Sequence, residues 1–143
     1  MNYRVVTEIQ IYLKMNSKRV KIDQDINPTI LVDSIVEGIQ EKKGTNIVVL
    51  DLRKIDHAIC SYFVICEGSS NTQVDAIANS VFDYVREKNG EKPYKSEGFE
   101  NAEWILLDYV DVVVHVFRKD VRSFYRLEAL WGDGVRKDIE DLF

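Results

Sequence analysis

Two kinds of hydrophobic spacing alternate along the chain. Leu31, Ile35 and Ile39 recur every four residues, with Val32 and Val36 beside them. That is the stripe of a helix with one buried side. Asn27 suits its N-cap, Pro28 sits where no N–H is needed, and Gly44 offers a left-handed exit. A second stripe runs through Val74, Ile77, Ala78, Val81, Phe82 and Val85. Ser70 and Gln73 have capping-box spacing ahead of it, and Asn89-Gly90 closes it.

Elsewhere the apolar residues fall in unbroken runs. Residues 47–50, 62–66, 104–107 and 112–117 read as strands, the first covered on both faces. The link 53–60 is too short for a helical crossover, so the first two strands are expected to be antiparallel neighbours. Residues 108–111 join the last two in a tight hairpin. The turn-rich stretch 92–101 leaves room for a short strand near Tyr94. Beyond Arg118 a helical face of Val121, Phe124 and Tyr125 continues into Leu127, Leu130 and Trp131. Helices alternating with strand pairs predict an α/β fold with a single mixed β-sheet covered by helices.

The two ends differ from this middle. Tyr3, Val5, Ile9, Ile11 and Leu13 alternate with polar residues in a strand-like period of two, and a polar stretch follows. Residues 1–27 are therefore expected to be an extension: a mobile arm, an added edge strand, or an over-called start ahead of Met15. Residues 133–143 are polar and expected to form a loosely attached tail.

Charge narrows the partners. The 143 residues carry 19 Lys and Arg against 24 Asp and Glu, a net charge of −5. A protein held to nucleic acid by its overall field is basic, so this balance favours a basic protein partner instead. Two cysteines cannot build a disulfide framework and predict a reducing compartment. There is neither a long apolar span nor a signal-like segment, which predicts a cytoplasmic protein away from membranes.

Candidate chemistry is sparse. Gly68-Ser69-Ser70 precedes a helix, where free N–H groups could hold phosphate. No Gly-Lys-Ser/Thr follows, and nucleotidyltransferases need paired carboxylates one residue apart on the next strand, which this chain lacks. Ser70 is therefore read first as a cap. An enzymatic alternative, nucleotide binding or nucleotidyl transfer, would rest on Ser69, Ser70 and Asp108. His57, Cys60, Cys66 and His115 lack the spacing of a zinc site, and His115 between valines reads as a hydrogen-bonded structural histidine. Arg118, Arg122 and Arg126 recur every four residues, as a solvated helix face or a local RNA contact. Trp104, Tyr109, Phe124, Tyr125 and Trp131 crowd the last third of the domain, where large amphipathic rings serve either core or interface.

The segment Glu97-Gly98-Phe99-Glu100-Asn101-Ala102-Glu103-Trp104, running on through Leu106, Asp108, Tyr109 and His115 to Phe117, resembles the signature of the Iojap family, the ribosomal silencing factors. Leu127-Glu128 and Leu130-Trp131 resemble its ending, and Tyr62 to Cys66 with Gly68-Ser69-Ser70 its middle. The likeness spans roughly residues 30–132, so residues 28–132 are taken as the domain. Two positions depart from the family pattern. Val110 stands where Gly is usual, which predicts a different turn type there, and Ser61 stands where Asp is common.

The resemblance implies a nucleotidyltransferase-like fold without catalytic carboxylates, no cofactor and no enzymatic activity. It implies binding to protein fourteen of the large ribosomal subunit, a steric block to subunit joining, translational repression under nutrient limitation, and a homodimer when free. Nucleic acid is not expected as the main contact. The residues expected to meet the partner are Trp104, Leu106, Asp108, Asp111, Arg122, Tyr125, Glu128 and Trp131. Arg122 and Glu128 have an internal alternative, pairing with one another.

Overall fold

The structure is a computed structural model that describes residues 27–56 and 58–142. The strand-like pattern of the first 14 residues and His57 lie outside the described residues.

Helix α1 (Pro28–Glu41) starts as its sequence predicts, with Asn27 Oδ1 accepting from the Thr29 N–H at 2.9 Å. Its exit differs from expectation. The left-handed residue is Lys43, at φ 60°, and not Gly44. Gly44 is needed for room: a Cβ there would stand 2.4 Å from Ile39 Cγ2.

Strands β1 (Thr45–Asp51) and β2 (Tyr62–Gly68) pair antiparallel, as expected. Helix α2 (Asn71–Asn89) is capped by Ser70, whose Oγ accepts from the Gln73 N–H at 3.1 Å. The return bond of the box goes one residue further back. Gln73 Oε1 accepts from the Ser69 N–H at 2.7 Å, while its Nε2 donates to the carbonyls of Lys42 and Lys43. One side chain thus ties the end of α1 to the start of α2.

Strands β3 (Lys95–Glu97), β4 (Trp104–Asp108) and β5 (Val112–Arg118) follow, then the short helices α3 (Lys119–Tyr125) and α4 (Leu127–Leu130) and strand β6 (Val135–Ile139). The sheet runs β3-β4-β5-β2-β1-β6. Among the described strands only β2 and β5 pair in parallel, so the sheet is mixed. The polar segment 133–143 corrects the sequence reading. Instead of a loose tail it supplies β6, paired with β1 from Ile47 opposite Ile139 to Asp51 opposite Val135. An edge strand is held by backbone hydrogen bonds, so its side chains can stay polar and exposed.

Helices α1 and α2 cover one face of the sheet, and Leu31, Ile35, Ile39, Ile77, Val81 and Val114 pack there. The helices meet at Gly38, where a Cβ would lie 2.9 Å from Val81 Cα, and Ser80 Oγ–H donates to the Gly38 carbonyl at 2.7 Å. The β4–β5 hairpin contradicts the expected change of turn type. Val110 adopts the left-handed conformation itself, at φ 74°. The Asp111 N–H donates to the Tyr109 carbonyl at 3.0 Å, closing a three-residue turn around Val110. Asp108 Oδ1 holds that turn by accepting from the Val110 N–H at 2.8 Å.

Candidate functional site

The other face of the sheet is built by strand alternation. Phe63 and Ile65 of β2, Trp104 and Leu106 of β4, and Val113 and Phe117 of β5 all point there. Among the described residues, α3, α4 with the Trp131 that follows it, and the β1–β2 connection cover it, through Val121, Tyr125, Leu127, Trp131 and Ile55. The cover is thin, and a band of rings reaches its margin. Trp104 stacks at a tilt on Phe117 at 4.6 Å and on Tyr125 at 4.8 Å, and Trp131 meets Phe63 edge-on at 5.5 Å. Trp104, Tyr125 and Trp131 are half-buried. Phe124 and Leu130 beside them are 47% and 44% exposed.

His115 lies under this band. Its Nδ1 accepts from Trp104 Nε1–H at 3.1 Å, and its ring meets Phe63 edge-on at 4.7 Å. Burial disfavours the imidazolium and pulls the pKa down to about 3. His115 is therefore neutral at physiological pH, and it orients the Trp104 ring from below. This is the structural histidine that the sequence suggested.

The remaining expected contact residues divide. Leu106 and Asp108 are buried, and Asp108 is turned into the hairpin, so neither reaches the surface; that corrects their assignment to a partner. Asp111 is half-buried, and its carbonyl accepts from the Ser61 and Tyr62 N–H groups at 2.8 and 3.1 Å. Those are backbone bonds at residue 61, so the serine there leaves the local geometry intact.

Arg122 is also buried, which corrects its expected role. Its Nη2 donates to Glu128 Oε1 at 2.5 Å, and its Nη1 to Glu67 Oε1 at 3.2 Å and to the Asn46 carbonyl at 2.5 Å. Of the two readings, the internal pairing of Arg122 with Glu128 is the one the fold forms. Asn46, at φ 50°, sits where the β1–β2 register shifts, and that irregularity frees its carbonyl for Arg122.

The arginine stripe dissolves for a related reason. Arg126 takes a left-handed conformation at φ 49° and breaks the expected continuous helix into α3 and α4. Arg118 pairs with Asp120 at 2.6 Å, so the three arginines do not form one face. The same break turns Phe124 and Leu130 outward, which a continuous helical pattern conceals.

The enzymatic alternative is not assembled. Gly68, next to Ser69, is in register with Arg118, whereas Asp108 is in register with Val113 and, through it, Phe63. Five strand positions separate these levels, roughly 17 Å at about 3.3 Å per residue. Cys66 and His115 belong to opposite faces of the sheet, with Cys66 in the helix-covered core, where burial pushes its thiol pKa up to about 12. No three His, Cys, Asp or Glu side chains among the described residues gather as metal ligands. No helix among the described residues is long and apolar enough to cross a membrane.

Residues 24–143 match the family model described as "Ribosomal silencing factor during starvation". The chain is 47% identical over 115 residues to the ribosomal silencing factor of Bacillus subtilis, covering 80% of this chain and 96% of that one. A more distant relative, "Mitochondrial assembly of ribosomal large subunit protein 1" of mouse, is 28% identical over 70% of this chain and 44% of that one. A crystal structure of a protein from Chromobacterium violaceum superposes with a TM-score of 0.70 at 37% identity, covering 75% of this chain and 88% of that one. The matched region takes in β6 as well as the signature strands β4 and β5, and on that footing the chain belongs to the family of ribosomal silencing factors, ribosome-associated proteins that silence translation.

Proposed function

We infer that this protein docks on protein fourteen of the large ribosomal subunit and sterically blocks joining of the small subunit, repressing translation when nutrients are limiting. The observation that carries the docking surface is the half-open aromatic face. Trp104, Tyr125 and Trp131 are partly exposed, and Phe124 and Leu130 extend the apolar area outward. Half-buried aromatic rings with apolar neighbours are the usual anchors of a protein interface, because they bury large area at low entropic cost. Glu103 flanks the rings, and the chain's net charge of −5 suits a basic ribosomal protein. The large subunit as target accords with the name of the mouse relative. Protein function here is binding, in the cytoplasm, with a homodimer as the free form.

The test is co-sedimentation with isolated large subunits, using Phe124→Ala and Trp131→Ala variants. Wild type should travel with the subunit and prevent small-subunit joining, and the variants should lose most of that binding. Binding to the purified ribosomal protein without RNA should persist. Wild type remaining at the top of the gradient would remove the proposal.

A further inference from the structure

A second surface lies between α3–α4 and the β1–β6 edge. It is a cleft of about 960 Å³, within the size range of built binding sites. Four cations line it: Lys119, Arg122, Arg126 and Arg136. Three carboxylates line it too, and each is already held by an arginine. Glu67 and Glu128 belong to Arg122, and Asp120 belongs to Arg118. Lys119 and Arg126 are exposed and have no carboxylate partner among the described residues. Among the described residues Arg136 has only a surface pair with Asp138, at 3.0 Å, between two largely exposed side chains. Such a pair is weak and readily exchanged.

We propose that this cleft holds the phosphate backbone of ribosomal RNA next to the protein docked on the aromatic face. This rests on the ribosome-binding reading above and adds a second contact to it. Three cations arrive from three segments: the start of α3, the α3–α4 junction and β6. A lone carboxylate would satisfy one guanidinium fork, whereas successive phosphates present acceptors to all three. None of the described residues lining the cleft is aromatic, and Ala129 is the one apolar side chain among them. Nothing there stacks on a base, so the contact reads backbone and not sequence. The buried Arg122 hub braces the cleft floor. Because α3 ends in Tyr125 and α4 is followed directly by Trp131, docking on the aromatic face brings the cleft to whatever RNA borders the partner protein. An acidic chain would need such a local patch, and its overall charge keeps RNA from becoming the principal contact.

The experiment compares wild type with a Lys119→Gln, Arg126→Gln, Arg136→Gln triple variant in co-sedimentation with large subunits over a salt series. Neutralising two or three phosphates makes wild-type affinity fall roughly ten- to fortyfold as salt rises from about 50 to about 200 mM. The triple variant should bind about tenfold more weakly at the low-salt end and show a flatter salt dependence, with an unchanged melting temperature and unchanged affinity for the purified protein partner. A photoreactive residue at Ser123 should capture ribosomal RNA. If wild type sediments and the variant matches it in affinity and salt slope, the cleft proposal is overturned while the docking proposal stands. If wild type does not sediment at all, the docking proposal falls. Capture of protein alone at position 123, or protection from unfolding by ATP equal to that by an RNA oligonucleotide, would also overturn the backbone reading.

Discussion

The two faces of the sheet differ in how they are covered. On one, α1 and α2 seal a core of aliphatic side chains, and the helices approach so closely at Gly38 that no side chain fits. On the other, two short helices and a connection leave aromatic rings half-exposed around a buried neutral histidine. The thin face is the one proposed above to bind, and it also holds the ionic hub of Arg122 with Glu67 and Glu128. Both faces therefore carry stability, while the proposed recognition belongs to the thin one alone.

The largest stability loss should come from Arg122→Ala, under the thin face. It leaves Glu67 and Glu128 without their cation, and breaking such a buried network costs about 3–5 kcal/mol. Chemical denaturation would measure it. A loss below about 1 kcal/mol would mean that the hub is solvated and the thin face more open than its geometry indicates.

On the sealed face, Ile35→Ala removes a fully buried side chain and should cost about 2–5 kcal/mol while leaving large-subunit affinity unchanged. Reduced affinity in the folded fraction would break the separation of the two faces.

His115 makes the thin face sensitive to acid. Its folded pKa of about 3 lies below the ordinary 6.5, so the unfolded chain takes up a proton first as pH falls. The stability it confers is complete above about pH 6.5 and is lost on the way down to about pH 3, on the order of 1 kcal/mol per pH unit. A His115→Phe variant should show a shallower slope across that window in thermal melts, with the carboxylates accounting for what remains. Equal slopes in the two proteins would show that the imidazole is not buried as described.

Val110→Gly should stabilise the hairpin by about 1 kcal/mol, because glycine removes the strain of a left-handed valine. A destabilised variant would mean that the isopropyl group packs better than its backbone suggests. The smallest stability effect belongs to Phe124→Ala, within about 0.5 kcal/mol since the ring is 47% exposed, although its effect on binding should be large.

Local signals carried far into the structure. The Asn27 and Ser70 caps, the spacing of Leu31, Ile35 and Ile39, and the alternation that sends His115 away from its valine neighbours were all legible, because each depends on residues within one turn or one strand. The signature strands were legible through family resemblance as well. Less of the site could be read. Leu106 and Asp108 look like surface candidates by alternation alone, but neighbouring strands and the hairpin bury them. Phe124 and Leu130 appear to continue an inward stripe until the break at Arg126 turns them out.

What the sequence determined by itself is the two long helices, the strands β1, β2, β4 and β5, the family and the absence of paired catalytic carboxylates, since these follow from residue identity and short spacing. Only the tertiary structure decided that 135–139 is the edge strand β6, that Arg122 is an internal hub, and that Lys119, Arg126 and Arg136 share a cleft. Each of those joins residues far apart in the chain, and the energies that select them, backbone pairing at an edge and charge pairing in a buried site, leave no periodic mark on the sequence.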